Sequence, residues 1–220
     1  MFKYILFDLD GTLTDPKVGI TTCAQYALAS VGIDEPDLDK LEPFIGPPLH
    51  ESFMQFYGFD KDMAMKLVEK YRERFNHIGI FENEIYPGIP KMLQTLKEKG
   101  CKISIASSKP TVLVERILVH FDIKQYFDSV VGSNLDGSRT KKEEVVEEAL
   151  HQLACVKEET AMVGDRKFDI EGAKAFGLTS IGVSFGYAAE NELEEAGADY
   201  IVDSVEELQE ILLRGSGQAY

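Results

Sequence analysis

Apolar residues fall into two alternating rhythms along this chain. Short unbroken runs rich in β-branched or aromatic residues occur at 4–7, 103–106, 130–131, 161–163, 180–183 and 200–202. Each gives way to Gly, Asp, Ser or Asn, as a buried strand does where it ends in a loop. Between most of them the spacing changes to three and four, as in Met92, Leu93 and Leu96, then Val112, Ile117 and Leu118, then Val145, Val146, Ala149 and Leu150. Strand then helix, repeated, predicts right-handed βαβ units and an α/β fold, a parallel sheet covered by helices on both faces.

One stretch interrupts the alternation. Residues 16–83 carry helical patterns near 18–31, 48–57 and 61–76, with breakers at Gly32, Pro36, Gly46-Pro47-Pro48 and Gly58, and no convincing strand. That is too long for a connecting loop and too helical for a sheet repeat. The expected organisation is a core made of residues 1–15 and 84–213, a helical insertion over 16–83, and a flexible tail at 214–220. The chain re-enters the core at Tyr86-Pro87-Gly88, and Met63, Met65 and Tyr57 are expected to form the apolar core of the insertion. Residues 4–7 then form a central strand, whose C-terminal end is where ligands bind in an open α/β sheet.

Composition narrows the class. With 44% hydrophobic and 28% charged residues, there is apolar mass for a core, and disorder needs far less. Lys and Arg number 23 against 38 Asp and Glu, so 23 − 38 = −15. A net charge of that sign argues against nucleic acid or a membrane surface as partner, since no basic run offsets it. Cys23, Cys101 and Cys155 are odd in number and widely spaced, which argues against a disulfide framework or a zinc site and for a reducing cytoplasm. Asp8 and Asp10 break the apolar N-terminal stretch before a signal peptide or a membrane span could form.

Four motifs carry candidate chemistry, each after a separate predicted strand. The first is Asp8-Leu9-Asp10-Gly11-Thr12-Leu13-Thr14-Asp15. Two acids at i and i+2 on extended chain project to one side, where like charges destabilise each other unless a cation or a reaction uses them. Gly11 and Thr12 are expected to offer free backbone N–H groups to an anion. The second is Ser107-Ser108-Lys109-Pro110; proline suits the first turn of a helix, which would set the Ser107 hydroxyl at a helix N-terminus, a natural phosphate site. The third is Thr140-Lys141-Lys142-Glu143, where a capping box between Thr140 and Glu143 would place both lysines in the first turn, the end that disfavours cations unless an anion lies close. The fourth is Gly164-Asp165-Arg166-Lys167-Phe168-Asp169, whose two carboxylates suit a hard cation such as Mg²⁺. In a parallel sheet these strand ends converge, bringing acids, a hydroxyl and a lysine to one edge. That inventory fits phosphoryl transfer with a carboxylate nucleophile.

In order, Asp-x-Asp-Gly-Thr-Leu-x-Asp, Ser107, Lys142 and Gly164-Asp165-x-x-x-Asp169 resemble the motifs of the haloacid-dehalogenase-like superfamily, over residues 2 to about 213. The position of the insertion is similar to the subgroup with a helical cap after the first motif, which contains phosphoglycolate phosphatases. The resemblance implies a Rossmann-like core and a Mg²⁺-dependent phosphatase in which Asp8 is the nucleophile and Asp10 the general acid and base. It further implies that Asp8, the Asp10 backbone carbonyl, Asp165 and Asp169 hold Mg²⁺, and that Ser107 and Lys142 hold phosphoryl oxygens. Lys141 is the neighbouring alternative to Lys142. Gly11, Thr12, Ser108 and His50 are expected on the substrate side. A small phosphomonoester, phosphoglycolate-like or a nucleoside monophosphate, is the expected substrate of a monomer or homodimer. A sugar phosphomutase ranks lower, because such enzymes usually place a histidine soon after the first motif and Thr14-Asp15-Pro16-Lys17 has none. A non-enzymatic phosphate-binding regulator is the remaining alternative. Response-regulator receivers share the acid pair but are shorter and lack the insertion.

Overall fold

In the computed structural model, which describes residues 1–215, six strands form one sheet. In their order across it they are β5 (Ser129–Ser133), β4 (Lys102–Pro110), β1 (Tyr4–Phe7), β6 (Thr160–Gly164), β7 (Thr179–Val183) and β8 (Tyr200–Val202). All neighbouring pairs are parallel, so this is the α/β core expected. The connections carry α4 (Ile89–Glu98), α5 (Thr111–His120), α6 (Lys142–Leu153), α7 (Lys167–Ala175) and α8 (Glu192–Ala196), and α9 (Val205–Arg214) closes the unit.

β1 reads as a continuous apolar run because it is covered on both faces. Leu6 pairs in register with Ser104 and Met162, and its side of the sheet joins Ala106, Val131 and Met162 to Val145, Val146 and Ala149 of α6 and Ala173 of α7 in one buried cluster. On the other side, Ile5 pairs with Ile103 and Ala161, and Phe7 with Ile105 and Val163. All of these are fully buried, and each large side chain contributes about 1.5–3 kcal/mol on leaving water. From β1 the chain winds outward to β4 and β5, then returns to β6 on the opposite side. The strand order therefore reverses at β1, and a crevice opens beyond its carboxyl end.

Two boundaries differ from the sequence reading in ways that bear on the site. β4 continues four residues beyond Ala106, and its register with β5 moves from Ala106↔Val131 to Pro110↔Ser133, so β4 carries two extra residues there. Pro110 is extended (φ −55°, ψ 133°) and precedes α5 instead of opening it. Ser107 consequently sits on an irregular strand end, not at a helix N-terminus. α6 begins at Lys142 and is capped one residue later than expected, with the Lys141 N–H donating to Glu144 Oε2 at 3.3 Å. Thr140 and Glu143 are not the capping pair.

Two short strands that the sequence did not signal, β2 (Thr14–Asp15) and β3 (Glu84–Ile85), pair with each other where the chain leaves the core and where it returns. The molecule divides into two units, Asp15–Glu84 and the remainder. The smaller unit contains α1 (Lys17–Ala29), α2 (Leu49–Tyr57) and α3 (Lys61–Phe75), with 3₁₀ turns at Leu38–Phe44 and Gly79–Phe81. Asp60 caps α3 by accepting from the Met63 N–H at 2.8 Å. The buried stripe of α3 is Ala64, Leu67, Val68, Tyr71 and Phe75, and it leaves Met65 45% exposed. Met65 is thus not part of the unit's core, while Met63 and Tyr57 are half-buried. Phe44 and Phe53 pack edge to face at 4.9 Å.

In the larger unit α9 runs through Arg214, whose carbonyl accepts from the Met1 amino group at 2.6 Å. The tail expected from 214 is therefore helical at its first residue, and 216–220 lie outside the described residues. Among the described residues no helix is long and apolar enough to cross a membrane.

Candidate active site

The segment after β1 folds into a tight turn. Leu9 O accepts from the N–H groups of Thr12, Leu13 and Thr14, at 3.2, 2.9 and 3.1 Å, and the Gly11 N–H donates to Thr14 O at 2.8 Å. The amides of Gly11 and Thr12 are therefore used within the turn and are not the free anion donors expected. What the turn supplies is side-chain geometry. Asp8 Oδ1 accepts from the Leu9 N–H at 2.7 Å, leaving Oδ2 3.1 Å from Lys142 Nζ. Thr12 Oγ1 donates to Asp165 Oδ1 at 3.2 Å. Gly11 has φ +80°, and a Cβ there would lie 2.1 Å from Asp165 Oδ2, so glycine is required both for the backbone and for the carboxylate's room.

Lys142 is the cation at the centre. Its ammonium lies 2.7 Å from Asp169 Oδ1 and donates to Ala106 O at 3.0 Å. Burial works against its charge, but the carboxylates of Asp169 and Asp8 outweigh it and hold the ammonium protonated beyond the ordinary lysine value. Lys141 is exposed. Asp169 sits in the first turn of α7, where its Oδ2 accepts from the Arg166 N–H at 3.0 Å. Burial pushes its carboxyl up to about 6, against the lowering influence of Lys142. Asp165 is fully buried; burial, then the charges of Asp169 and Asp8, drive its carboxyl well above the usual range.

Asp10 has a different setting. Its Oδ2 pairs with Lys109 Nζ, while Oδ1 is buried without a hydrogen-bond partner. Burial raises its carboxyl above the ordinary value, and Lys109 opposes that rise. Ser107 is 2% exposed, its Oγ accepting from the Lys109 N–H at 3.3 Å, and Ser108 beside it is half-buried. His50 belongs to the smaller unit, half-buried on α2 with Nε2 3.9 Å from Glu51.

Lys109, Gly186 and Tyr187 were not singled out from the sequence. Lys109 lies within Ser107-Ser108-Lys109-Pro110, and a lysine next to a buried strand is the signal that marks it. Gly186 and Tyr187 belong to the loop after β7. The Tyr187 N–H donates to Asp165 Oδ2 at 2.8 Å, and a Cβ on Gly186 would lie 2.4 Å from both Asp165 Cβ and Gly11 O.

Asp8, Asp165 and Asp169 each present a carboxylate oxygen within 4.8 Å of the others, all buried. Oxygen donors alone suit a hard divalent cation. The charge count agrees: four aspartates (Asp8, Asp10, Asp165, Asp169) against two lysines (Lys109, Lys142) leave two negative charges when all are ionised. These residues fit a bound divalent metal, and the two lysines beside them are cations that an anionic group could meet at the same edge.

A parallel sheet with acids, a lysine and a serine at its carboxyl edge defines a phosphoryl-transfer α/β protein. A family model described as "Haloacid dehalogenase-like hydrolase" matches residues 5–183, and the chain belongs to that family as one of its phosphatases. A protein of Pseudomonas aeruginosa named 5'-nucleotidase is 46% identical over 96% of this chain and 96% of its own length. A Mycobacterium tuberculosis protein named tyrosine-protein kinase PtkA is 34% identical over 96% of this chain and 72% of its own length. The crystal structure of a predicted phosphatase from Clostridium acetobutylicum is 45% identical and superposes with a TM-score of 0.94, covering 97% of this chain and 99% of that one.

Proposed function

We propose that the protein is a Mg²⁺-dependent phosphatase of small phosphomonoesters, of the nucleoside monophosphate or phosphoglycolate kind, acting through an aspartyl phosphate on Asp8. The observation that carries this reading is the pairing of two buried aspartates with separate partners: Asp8 faces Lys142 and the acid cluster, whereas Asp10 faces Lys109. Two carboxyls placed in different environments can divide the nucleophilic and the proton-transfer roles.

A carboxylate oxygen of Asp8 attacks phosphorus, and the bond from phosphorus to the ester oxygen breaks. Asp10, raised by burial, gives its proton to that leaving oxygen. The resulting Asp10 carboxylate takes a proton from water, whose oxygen attacks the aspartyl phosphate and releases phosphate with the Asp8 carboxylate restored. Lys142 and Ser107 hold phosphoryl oxygens, and Lys142 also pairs with Asp8 and Asp169. Held by Asp8, the Asp10 backbone carbonyl, Asp165 and Asp169, Mg²⁺ would neutralise charge on the phosphoryl group.

The test is phosphate release from a panel of nucleoside monophosphates, phosphoglycolate, sugar phosphates and an aryl phosphate, with Mg²⁺ and with EDTA. Turnover that needs Mg²⁺ and concentrates on one ester class is the expected result. Turnover that survives EDTA, or Asp8→Asn at wild-type rate, would overturn the proposal.

A further inference from the structure

Glu192 stands in an acidic run that reads as solvated surface, yet its side chain is only 9% exposed. Oε1 accepts from Arg166 Nε and from the Lys167 N–H, both at 2.9 Å. Oε2 accepts from the Ala189 N–H at 2.9 Å and lies 3.4 Å from Arg166 Nη2. Its donors thus come from two loops. Arg166 and Lys167 belong to the turn between Asp165 and Asp169, and Ala189 belongs to the loop between β7 and α8.

Both loops touch the acid cluster through main-chain donors. The Arg166 N–H holds Asp169 Oδ2 at 3.0 Å, and the Tyr187 N–H holds Asp165 Oδ2 at 2.8 Å. The loop that carries Tyr187 is fixed at its start by the Ser184 N–H on Val202 O at 2.9 Å, and near its end by Ala189 on Glu192. Capping of α8 accounts for the Ala189 bond, since the Glu192 N–H returns to Ala189 O at 3.0 Å. It does not account for the bonds from Arg166 and Lys167. The carboxyl is ionised in this setting: burial raises it, and the Arg166 guanidinium with the Ala189 and Lys167 N–H groups more than offsets that, leaving it below the usual range.

We propose that Glu192 is a positioning residue for the metal site, fastening the loop after β6 to the loop after β7 so that Asp165 and Asp169 are held in the orientation a divalent cation requires. The inference rests on the metal reading given above and assigns it a determinant outside the four motifs. Groups that orient ligands in this way typically account for 10–100-fold in metal affinity.

The experiment is Mn²⁺ titration of the full-length protein followed by the electron paramagnetic resonance of free Mn²⁺, since Mn²⁺ accepts the same oxygen donors. Glu192→Ala should raise the dissociation constant about 10–100-fold, and Glu192→Gln should fall between it and wild type. Glu195→Ala removes the same charge from an exposed position on α8 and should leave the constant within about twofold, as a remote screened charge does. A merely structural Glu192 would lower the melting temperature without moving the constant. If Glu192→Ala does not fold, Arg166→Lys provides the same reading, because it keeps the positive charge near Asp165 while breaking the guanidinium bonds to Glu192, and a smaller rise than that of Glu192→Ala is expected. Variants that bind Mn²⁺ as wild type does overturn this inference alone. Wild-type protein that binds no Mn²⁺ overturns the metal reading of the proposed function, and this inference with it.

Discussion

Stripped of divalent cations, the protein should carry a stability deficit that grows as pH rises from about 4 to about 6 and persists above. The deficit comes from acids that folding places together. Asp169 moves from 3.8 to about 6 because burial disfavours its charge, and Asp165 moves in the same direction. A carboxyl whose folded value is raised keeps its proton longer in the native state than in the unfolded chain. The native state therefore binds more protons across that window, and stability falls as pH climbs through it. For Asp169 alone the change is ~3 kcal/mol. Lys142, raised above the ordinary lysine value, contributes fully throughout this range and does not alter the slope. Glu82, held by the Arg74 guanidinium, and Glu192 are both lowered, so their contribution is lost as pH falls below the ordinary glutamate value, which blurs a single melting curve. Comparing Mg²⁺ with EDTA at each pH removes that background. Mg²⁺ at about 100 times its dissociation constant adds ~2.7 kcal/mol, or about 5–11 °C for a chain of this size. Protons compete for the same carboxylates, so the gap between the two melting temperatures should be small near pH 5 and full near pH 8. A gap that is constant with pH, or wider in acid, would show that these acids do not share a cation and would refute the reasoning.

Three substitutions probe the site separately. Asp8→Asn should lower turnover by on the order of 10⁴-fold or more, as loss of a nucleophile does, while far-ultraviolet circular dichroism is retained; a loss below tenfold would remove Asp8 from the reaction. Lys142→Met leaves Asp8 and Asp169 without the ammonium that stands 3.1 and 2.7 Å from them and should cost about 3–5 kcal/mol in urea unfolding with EDTA, part of it recovered by Mg²⁺. Gly186→Ala sets a Cβ 2.4 Å from Asp165 Cβ and Gly11 O, which should cost ~1–3 kcal/mol and weaken Mn²⁺ binding; a variant with wild-type melting and affinity would contradict that packing.

β1 was legible because it is apolar on both faces, and the four motifs because acids, serine and lysine immediately follow apolar runs. The prolonged end of β4 was not, since Ser107, Ser108 and Lys109 are polar and their extension depends on pairing with β5. Free amides were expected of Gly11 and Thr12 from their residue types, but the turn closes on Leu9 O and Thr14 O, a fact of three-dimensional closure that no spacing encodes. Hydrophobicity alone does not say which side of α3 faces inward and so does not place Met65; the stripe from Ala64 to Phe75 does. Glu192 was hidden among acids that look alike in one dimension, and only the two loops it meets distinguish it.

The pairing of β2 with β3 makes Asp15–Glu84 an excursion whose two ends are neighbours. For the sheet, everything between those ends is one closed detour, so its length and content can be exchanged without altering the path of any of the six core strands. The excursion has its own apolar centre in Phe44, Phe53, Leu67 and Phe75, and need not borrow burial from what it replaces. Such an arrangement is a graft site: one sheet can carry different insertions over evolutionary or laboratory time, while Asp8, Lys142, Asp165 and Asp169 stay where they are.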